Sequence, residues 1–155
     1  GRPAQPGYGM VALEAHPEAL DQGAREVDMV ADLSALADSD YSAVSSDVAR
    51  VRAAVPHVVL KVILESALWN GAQLGAACDA ALAGGADFVK TSTGFHPSGG
   101  ASTAAVSLMS ERVGGRARVK ASGGIRDLST AMEMIDAGAS RLGLSATESI
   151  LSELD

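Results

Sequence analysis

The chain holds three lysines, Lys61, Lys90 and Lys120, against nine arginines. Each lysine sits in an apolar, β-branched stretch: VVLKVILE, ADFVKTSTG and RARVKASGG. Lysines normally belong on the wetted surface, so lysines in such surroundings ask for a chemical reason. An amine can lose its proton and attack a carbonyl, whereas a guanidinium stays charged. In a buried strand an ammonium is costly, and a second ammonium nearby adds repulsion. Together these effects yield a neutral, nucleophilic amine suited to Schiff-base formation. Lys90 and Lys120 lie 30 residues apart, a spacing that places them on consecutive strands. Each is followed by small residues and glycine, K-T-S-T-G and K-A-S-G-G, so the amines can emerge at the top of a sheet. The plainer alternative is that both tips snorkel to solvent.

Asp28, in E-V-D-M-V-A, is flanked by apolar residues. A carboxylate there needs a partner, and a lysine ammonium or an ordered water would serve. Its two readings are proton transfer beside the amines and a structural ion pair. Ser122-Gly123-Gly124 and Gly143-Leu144-Ser145 follow the last two expected strands. Barrel enzymes often bind phosphate with these loops, although glycines after strands are also ordinary turn residues.

The net charge of −7, from 12 basic and 19 acidic residues, makes a local donor nest more necessary for an anionic substrate. The same acidity argues against duplex nucleic acid as partner. Trp69 and two phenylalanines are too few for a base-stacking surface. His16, His57 and His96 are isolated and lack metal-ligand spacing, so no metal is expected. Cys78 is the single cysteine, which excludes an internal disulfide and favours a reducing, cytoplasmic setting. No apolar run approaches the roughly 18 residues of a membrane span, so no membrane partner is expected. Gly7-Tyr8-Gly9-Met10-Val11-Ala12 fits a dinucleotide-binding pattern, but no strand precedes it. Gly143 to Thr147 lacks the second glycine of a nucleophile elbow.

Positioning these residues requires a regular scaffold. The length of 155 residues and an apolar content of 47% support a single domain, 1–155, with a core. Apolar runs predict strands at 26–31, 58–64, 87–91, 118–122 and 140–144. Helical spacing predicts helices at 40–54, 72–83, 101–113, 127–137 and 146–153. Asp127 reads as an N-cap, and Gly84 and Gly138 as C-terminal stops. Residues 1–9 read as a loop and 10–22 as a helix shortened or kinked at Pro17. Strict alternation implies parallel strands joined by right-handed crossovers, an α/β fold.

A quasi-repeat supports this layout: G-A-R-E-V-D (23–28), G-A-D-F-V-K (85–90) and G-A-S-R-L-G (138–143) each leave a helix and enter a strand. Asp28, Lys90 and Gly143 share one offset and come from alternate strands, which in a (β/α) barrel fill the same interior layer. Such a barrel has eight strands in about 250 residues. Five are visible, so the expectation is a C-terminal portion of a TIM (β/α)8 barrel, with further units before residue 1. An open five-stranded sheet is the competing architecture. Unpaired edges in either case invite self-association.

Taken together, these motifs resemble deoxyribose-phosphate aldolase, a cytoplasmic class I aldolase family with a TIM-barrel fold. The matching words are E-V-D-M-V (26–30), L-K-V-I-L-E (60–65), G-A-D-F-V-K-T-S-T-G-F (85–95), V-K-A-S-G-G-I-R (119–126) and G-A-S-R-L-G (138–143), in the family's order. The resemblance implies cleavage of 2-deoxy-D-ribose 5-phosphate to acetaldehyde and glyceraldehyde 3-phosphate, in deoxyribonucleotide catabolism, without metal or organic cofactor. It implies that Lys90 forms the Schiff base and that Lys120 is the neighbouring lysine favouring the free amine. Asp28 would work with Lys120 in proton transfer, and Lys61 would shape the site. Thr93, Gly94, Gly123, Gly124, Gly143 and Ser145 would surround the substrate and its phosphate. Where many members carry two serines after the last strand, this chain has Ser145-Ala146. Another Schiff-base sugar-phosphate aldolase and an inactive barrel fragment are the remaining alternatives.

Overall fold

The computed structural model describes residues 23–154. The loop and helix expected at 1–22, with His16 and the Gly7–Ala12 motif, lie outside them. Five parallel strands, β1 (Glu26–Val30), β2 (Val59–Ile63), β3 (Phe88–Lys90), β4 (Arg118–Ser122) and β5 (Arg141–Gly143), form one sheet in sequential order. Between and after them come helices α1 (Leu33–Ala37), α2 (Tyr41–Ala54), α3 (Gly71–Ala83), α4 (Thr103–Val113), α5 (Leu128–Asp136) and α6 (Thr147–Ser152). All five expected strands and all five helices expected after residue 40 are present, with ends moved by one or two residues. The short α1 was not expected; Asp32 caps it by accepting from the Ser34 and Ala35 amides.

The helix starts follow side-chain chemistry. Asp40 accepts from Ala43 N, Ser102 from Ala105 N, and Asp127 from Thr130 N, as expected for Asp127. Asn70 and Gln73 form a reciprocal capping box at α3. Gly138 has a left-handed φ of 114°, as a helix stop should. Gly84 differs from expectation: its φ of −79° is right-handed, and Gly85 takes the left-handed turn at 97°. Gly84 is instead required by packing, because a Cβ there would lie 2.5 Å from Cβ of Val48 on α2.

Strand alternation sorts the side chains onto two faces. Val27, Met29, Leu60, Val62, Val89, Val119 and Ala121 join a buried core with helix residues such as Val44, Val48, Leu74, Val106 and Met109. The intervening positions carry Glu26, Asp28, Lys61, Lys90, Arg118, Lys120 and Arg141 around the Phe88 ring, a charged row rare in a parallel sheet. Arg141 on β5 reaches Glu26 on β1 at 2.6 Å. In a flat sheet these strands would stand about 19 Å apart, so the sheet curls with this face inside.

Register gives the curl its geometry. Asp28 pairs with Lys61 and Lys61 with Phe88, whereas Lys90 pairs with Lys120 and Lys120 with Arg141. Asp28 and Lys90 therefore do not share a hydrogen-bonded row; Lys90 is two residues further along, two strands away. Gly143 is displaced from Lys90 in the same sense. One residue of stagger per strand extrapolates to a shear of about eight for eight strands, the TIM-barrel value. The molecule is a five-unit arc of that α/β architecture, and Asp28 and Lys90 meet across the stagger at 2.9 Å.

Candidate active site

Asp28 is the centre on which the lysines converge. Its Oδ1 accepts from Lys61 Nζ at 2.8 Å and its Oδ2 from Lys90 Nζ at 2.9 Å. Lys120 Nζ stands 3.6 Å from the same Oδ2. Lys61 also meets Glu26 Oε2 at 2.7 Å. The strands hold these groups because β1, β2, β3 and β4 each turn every second residue inward. All three lysine side chains are largely buried, with exposures of 5% for Lys61, 13% for Lys90 and 16% for Lys120.

Burial alone would raise the Asp28 carboxyl, but hydrogen bonds from Lys61 and Lys90 and the charges of Lys90 and Lys120 outweigh it, bringing it down to about 2. Glu26 is likewise held at about 2, by the hydrogen bond from Arg141 first and that from Lys61 second. Burial pulls Lys61 down, yet its bonds to Asp28 and Glu26 leave it above the ordinary lysine value. Lys120 moves the other way: burial lowers it, the Lys90 and Lys61 charges add to that, and Asp28 only partly offsets them. Lys61 is thus a fixed cation, and Lys120 the amine that gives up its proton more readily than an ordinary lysine.

Beyond the lysines the strand ends are locked together. Thr91 Oγ1 donates to Ser122 O at 3.0 Å and accepts from Ser122 N at 3.0 Å, while Ser122 Oγ donates to Ser92 O at 2.7 Å. Ser92 Oγ also donates to Ser122 O. These bonds tie β3 to β4 just beyond the paired Lys90 and Lys120. Thr93 N donates to the buried Glu65 carboxylate at 3.2 and 3.3 Å. Gly94 and Gly123 stand close together, since a Cβ on Gly123 would meet Gly94 Cα at 3.4 Å. A Cβ on Gly143 would meet Lys120 Cε at 3.3 Å and Ser122 Cβ at 2.8 Å, so only glycine lets β5 approach the amine. Gly124 follows in the same turn with open space around it. Ser145 is exposed beyond β5, and Ala146 gives α6 no side-chain cap. Among the described residues, no group of three His, Cys, Asp or Glu could hold a metal ion.

Residues 5–150 match the sequence pattern of the DeoC/LacD family aldolases. The chain belongs to that family. Within this aldolase family, it is 57% identical over 145 residues to a deoxyribose-phosphate aldolase of Kocuria rhizophila, covering 93% of this chain and 66% of the relative. It is 53% identical to that of Frankia alni, covering 92% and 63%. The chain therefore spans slightly under two thirds of the length of these curated relatives. Among solved structures, the aldolase QR15 superposes with a TM-score of 0.89 at 40% identity, covering 99% of this chain and 69% of that one. A tetrameric deoxyribose phosphate aldolase from Aeropyrum pernix gives 0.85 at 34% identity, covering 97% and 63%.

The arc brings Asp28, Lys61, Lys90 and Lys120 of the expected site into one cluster and sets Thr93, Gly94, Gly123, Gly124 and Gly143 at the adjoining strand ends. Ser145 makes no hydrogen bond to the amines. Sequence reasoning missed Glu26, Glu65 and Arg141. Glu26 had a signal, since it lies two residues before Asp28 and so on the same face. Glu65, 1% exposed and left-handed at a φ of 54°, had none.

Proposed function

We propose that this chain carries the Schiff-base centre of an aldolase cleaving 2-deoxy-D-ribose 5-phosphate to acetaldehyde and D-glyceraldehyde 3-phosphate, a lyase of deoxyribonucleotide catabolism. The observation that carries the reading is the convergence of three largely buried lysines on the single carboxylate Asp28. The names of the relatives support the substrate.

In this reading Lys90 Nζ adds to the C1 aldehyde of the open-chain sugar, and loss of water gives an iminium. The iminium withdraws electrons as the C3 hydroxyl loses its proton and the C2–C3 bond breaks. Glyceraldehyde 3-phosphate leaves, and an enamine remains on Lys90. Protonation at C2 and hydrolysis then release acetaldehyde and restore the amine. Lys120, which burial makes a weaker base than an ordinary lysine, and Asp28 move these protons, while Lys61 keeps Asp28 ionised. Thr93, Gly94, Gly123, Gly124, Gly143 and Ser145 line the substrate and phosphate side. The single buried cysteine, its thiol pushed up to about 12 chiefly by burial, suits a reducing, cytoplasmic setting.

Borohydride reduction in the presence of acetaldehyde tests the assignment: an ethyl group is expected on the peptide carrying Lys90. A label on Lys61 or Lys120 would reassign the nucleophile. Trapping with dihydroxyacetone phosphate in place of acetaldehyde would redirect the reading to a ketose-phosphate aldolase.

A further inference from the structure

We infer that Glu26 is a positioning residue of the amine cluster: by holding Lys61 from the amino end of the strands, it leaves one oxygen of Asp28 to Lys90 and Lys120. This rests on the Schiff-base reading for its consequence, though the geometry stands apart from it. Lys61 Nζ spans two carboxylates of β1, with Glu26 Oε2 at 2.7 Å and Asp28 Oδ1 at 2.8 Å. Asp28 is divided in turn, its Oδ2 facing Lys90 at 2.9 Å and Lys120 at 3.6 Å. Lys61 is 4% exposed, so water is poorly placed to replace a lost carboxylate. Without Glu26 the buried ammonium would have Asp28 as its remaining anionic partner and would draw both oxygens toward itself. Lys90 would then lose the group that orients it.

Glu26 has a second partner besides Lys61. Its Oε2 accepts from Arg141 Nη1 at 2.6 Å, and the Arg141 and Arg118 guanidinium carbons each lie 5.0 Å from the centre of the Phe88 ring. Among the described residues, the charged groups that the strands place on the curled face are therefore Glu26 and Asp28 on β1, Lys61 on β2, Lys90 on β3, Arg118 and Lys120 on β4, and Arg141 on β5. The Glu26–Arg141 bond joins the outer strands, so a purely structural brace is the competing role.

Glu26→Gln and Arg141→Met in the 155-residue chain separate the two. Two quantities are read: the acetylation rate of Lys61 by acetic anhydride, and the pH dependence of acetaldehyde trapping at Lys90. In Glu26→Gln, Lys61 should acetylate about tenfold faster, and trapping at Lys90 should slow about tenfold with an altered pH profile. Arg141→Met should lower the melting temperature and leave both readouts within about twofold. Equal losses in both variants would mean a strand brace, and unchanged Lys61 reactivity in Glu26→Gln would overturn the proposal outright. Should Glu26→Gln not fold, Glu26→Asp keeps the charge and withdraws it by one methylene. An intermediate Lys61 rate would then support the contact, and an unchanged rate would overturn it. If the unmutated chain traps no acetaldehyde, the Schiff-base reading fails, while Lys61 acetylation still decides the role of Glu26.

Discussion

Asp28 serves three amines at once, and its low carboxyl value has consequences for both activity and stability. An ordinary aspartate ionises near 3.8, and Asp28 does so at about 2. A carboxyl depressed in the folded state stabilises above its unfolded value, and that contribution is lost as pH falls through the folded value. Between about pH 4 and pH 2 the fold should lose about 2 kcal/mol through Asp28, with Glu26 adding a smaller share because it is solvent-screened. Urea midpoints measured from pH 6 to pH 2 check this, and Asp28→Asn should flatten the slope over that window. Lys120 is the second residue-scale test. Replacing it with leucine removes a positive charge beside Lys90 and a proton carrier from the site. Turnover at neutral pH should fall about a hundredfold or more, and the rate profile should move to higher pH. Turnover unchanged at every pH would remove Lys120 from the mechanism.

At the scale of elements, the site depends on close approach. The contact of α3 with α2 passes through Gly84, where a Cβ would sit 2.5 Å from Val48 Cβ and 2.8 Å from the Ser45 carbonyl oxygen. A backbone atom cannot move aside as a side-chain tip can. Gly84→Ala should therefore cost about 1–3 kcal/mol in urea unfolding, despite alanine's better helix propensity. The hydroxyl bonds between Thr91, Ser92 and Ser122 make a further prediction. Thr91→Val removes the acceptor of Ser122 N and leaves a buried amide unsatisfied, at about 1–3 kcal/mol. Because the same bonds tie β3 to β4 beside the paired Lys90 and Lys120, acetaldehyde trapping should slow along with the loss of stability. Trapping at the wild-type rate would show that the strands alone hold the amines.

For the whole molecule, the decisive feature is that β1 and β5 each pair on one side among the described residues. A TIM barrel protects every strand by closure, and an open arc exposes hydrogen-bonding edges and admits water to its inner face. Water raises the effective dielectric and weakens the electrostatics among the lysines. Met132, Ile135, Leu151 and Leu154, on or beside α5 and α6, add exposed apolar surface near the β5 edge. The 155-residue chain purified by itself should therefore self-associate and turn over slowly, as measured by mass in solution and by cleavage of deoxyribose 5-phosphate. A stable monomer as active as its longer relatives would defeat this expectation.

The alternation of strands and helices, the Asp127 cap, and the placement of Lys61, Lys90, Lys120 and Asp28 on strands were all readable along the chain. Each depends on periodicity and neighbouring residue types, which are local properties. The family resemblance was legible for the same reason, through short words in order. What the tertiary structure alone decided is who meets whom across the curl. Glu26 and Arg141, 115 residues apart, touch because the sheet bends and its register staggers by one residue per strand. No local pattern encodes that stagger. The same holds for Gly84, whose necessity comes from Val48 on another helix, and for Glu65, whose buried carboxylate accepts from the Thr93 amide of the next strand end. The amines and Asp28 were visible in the sequence; the meeting of Glu26 with Lys61 and Arg141 became visible only once the sheet had curled around them.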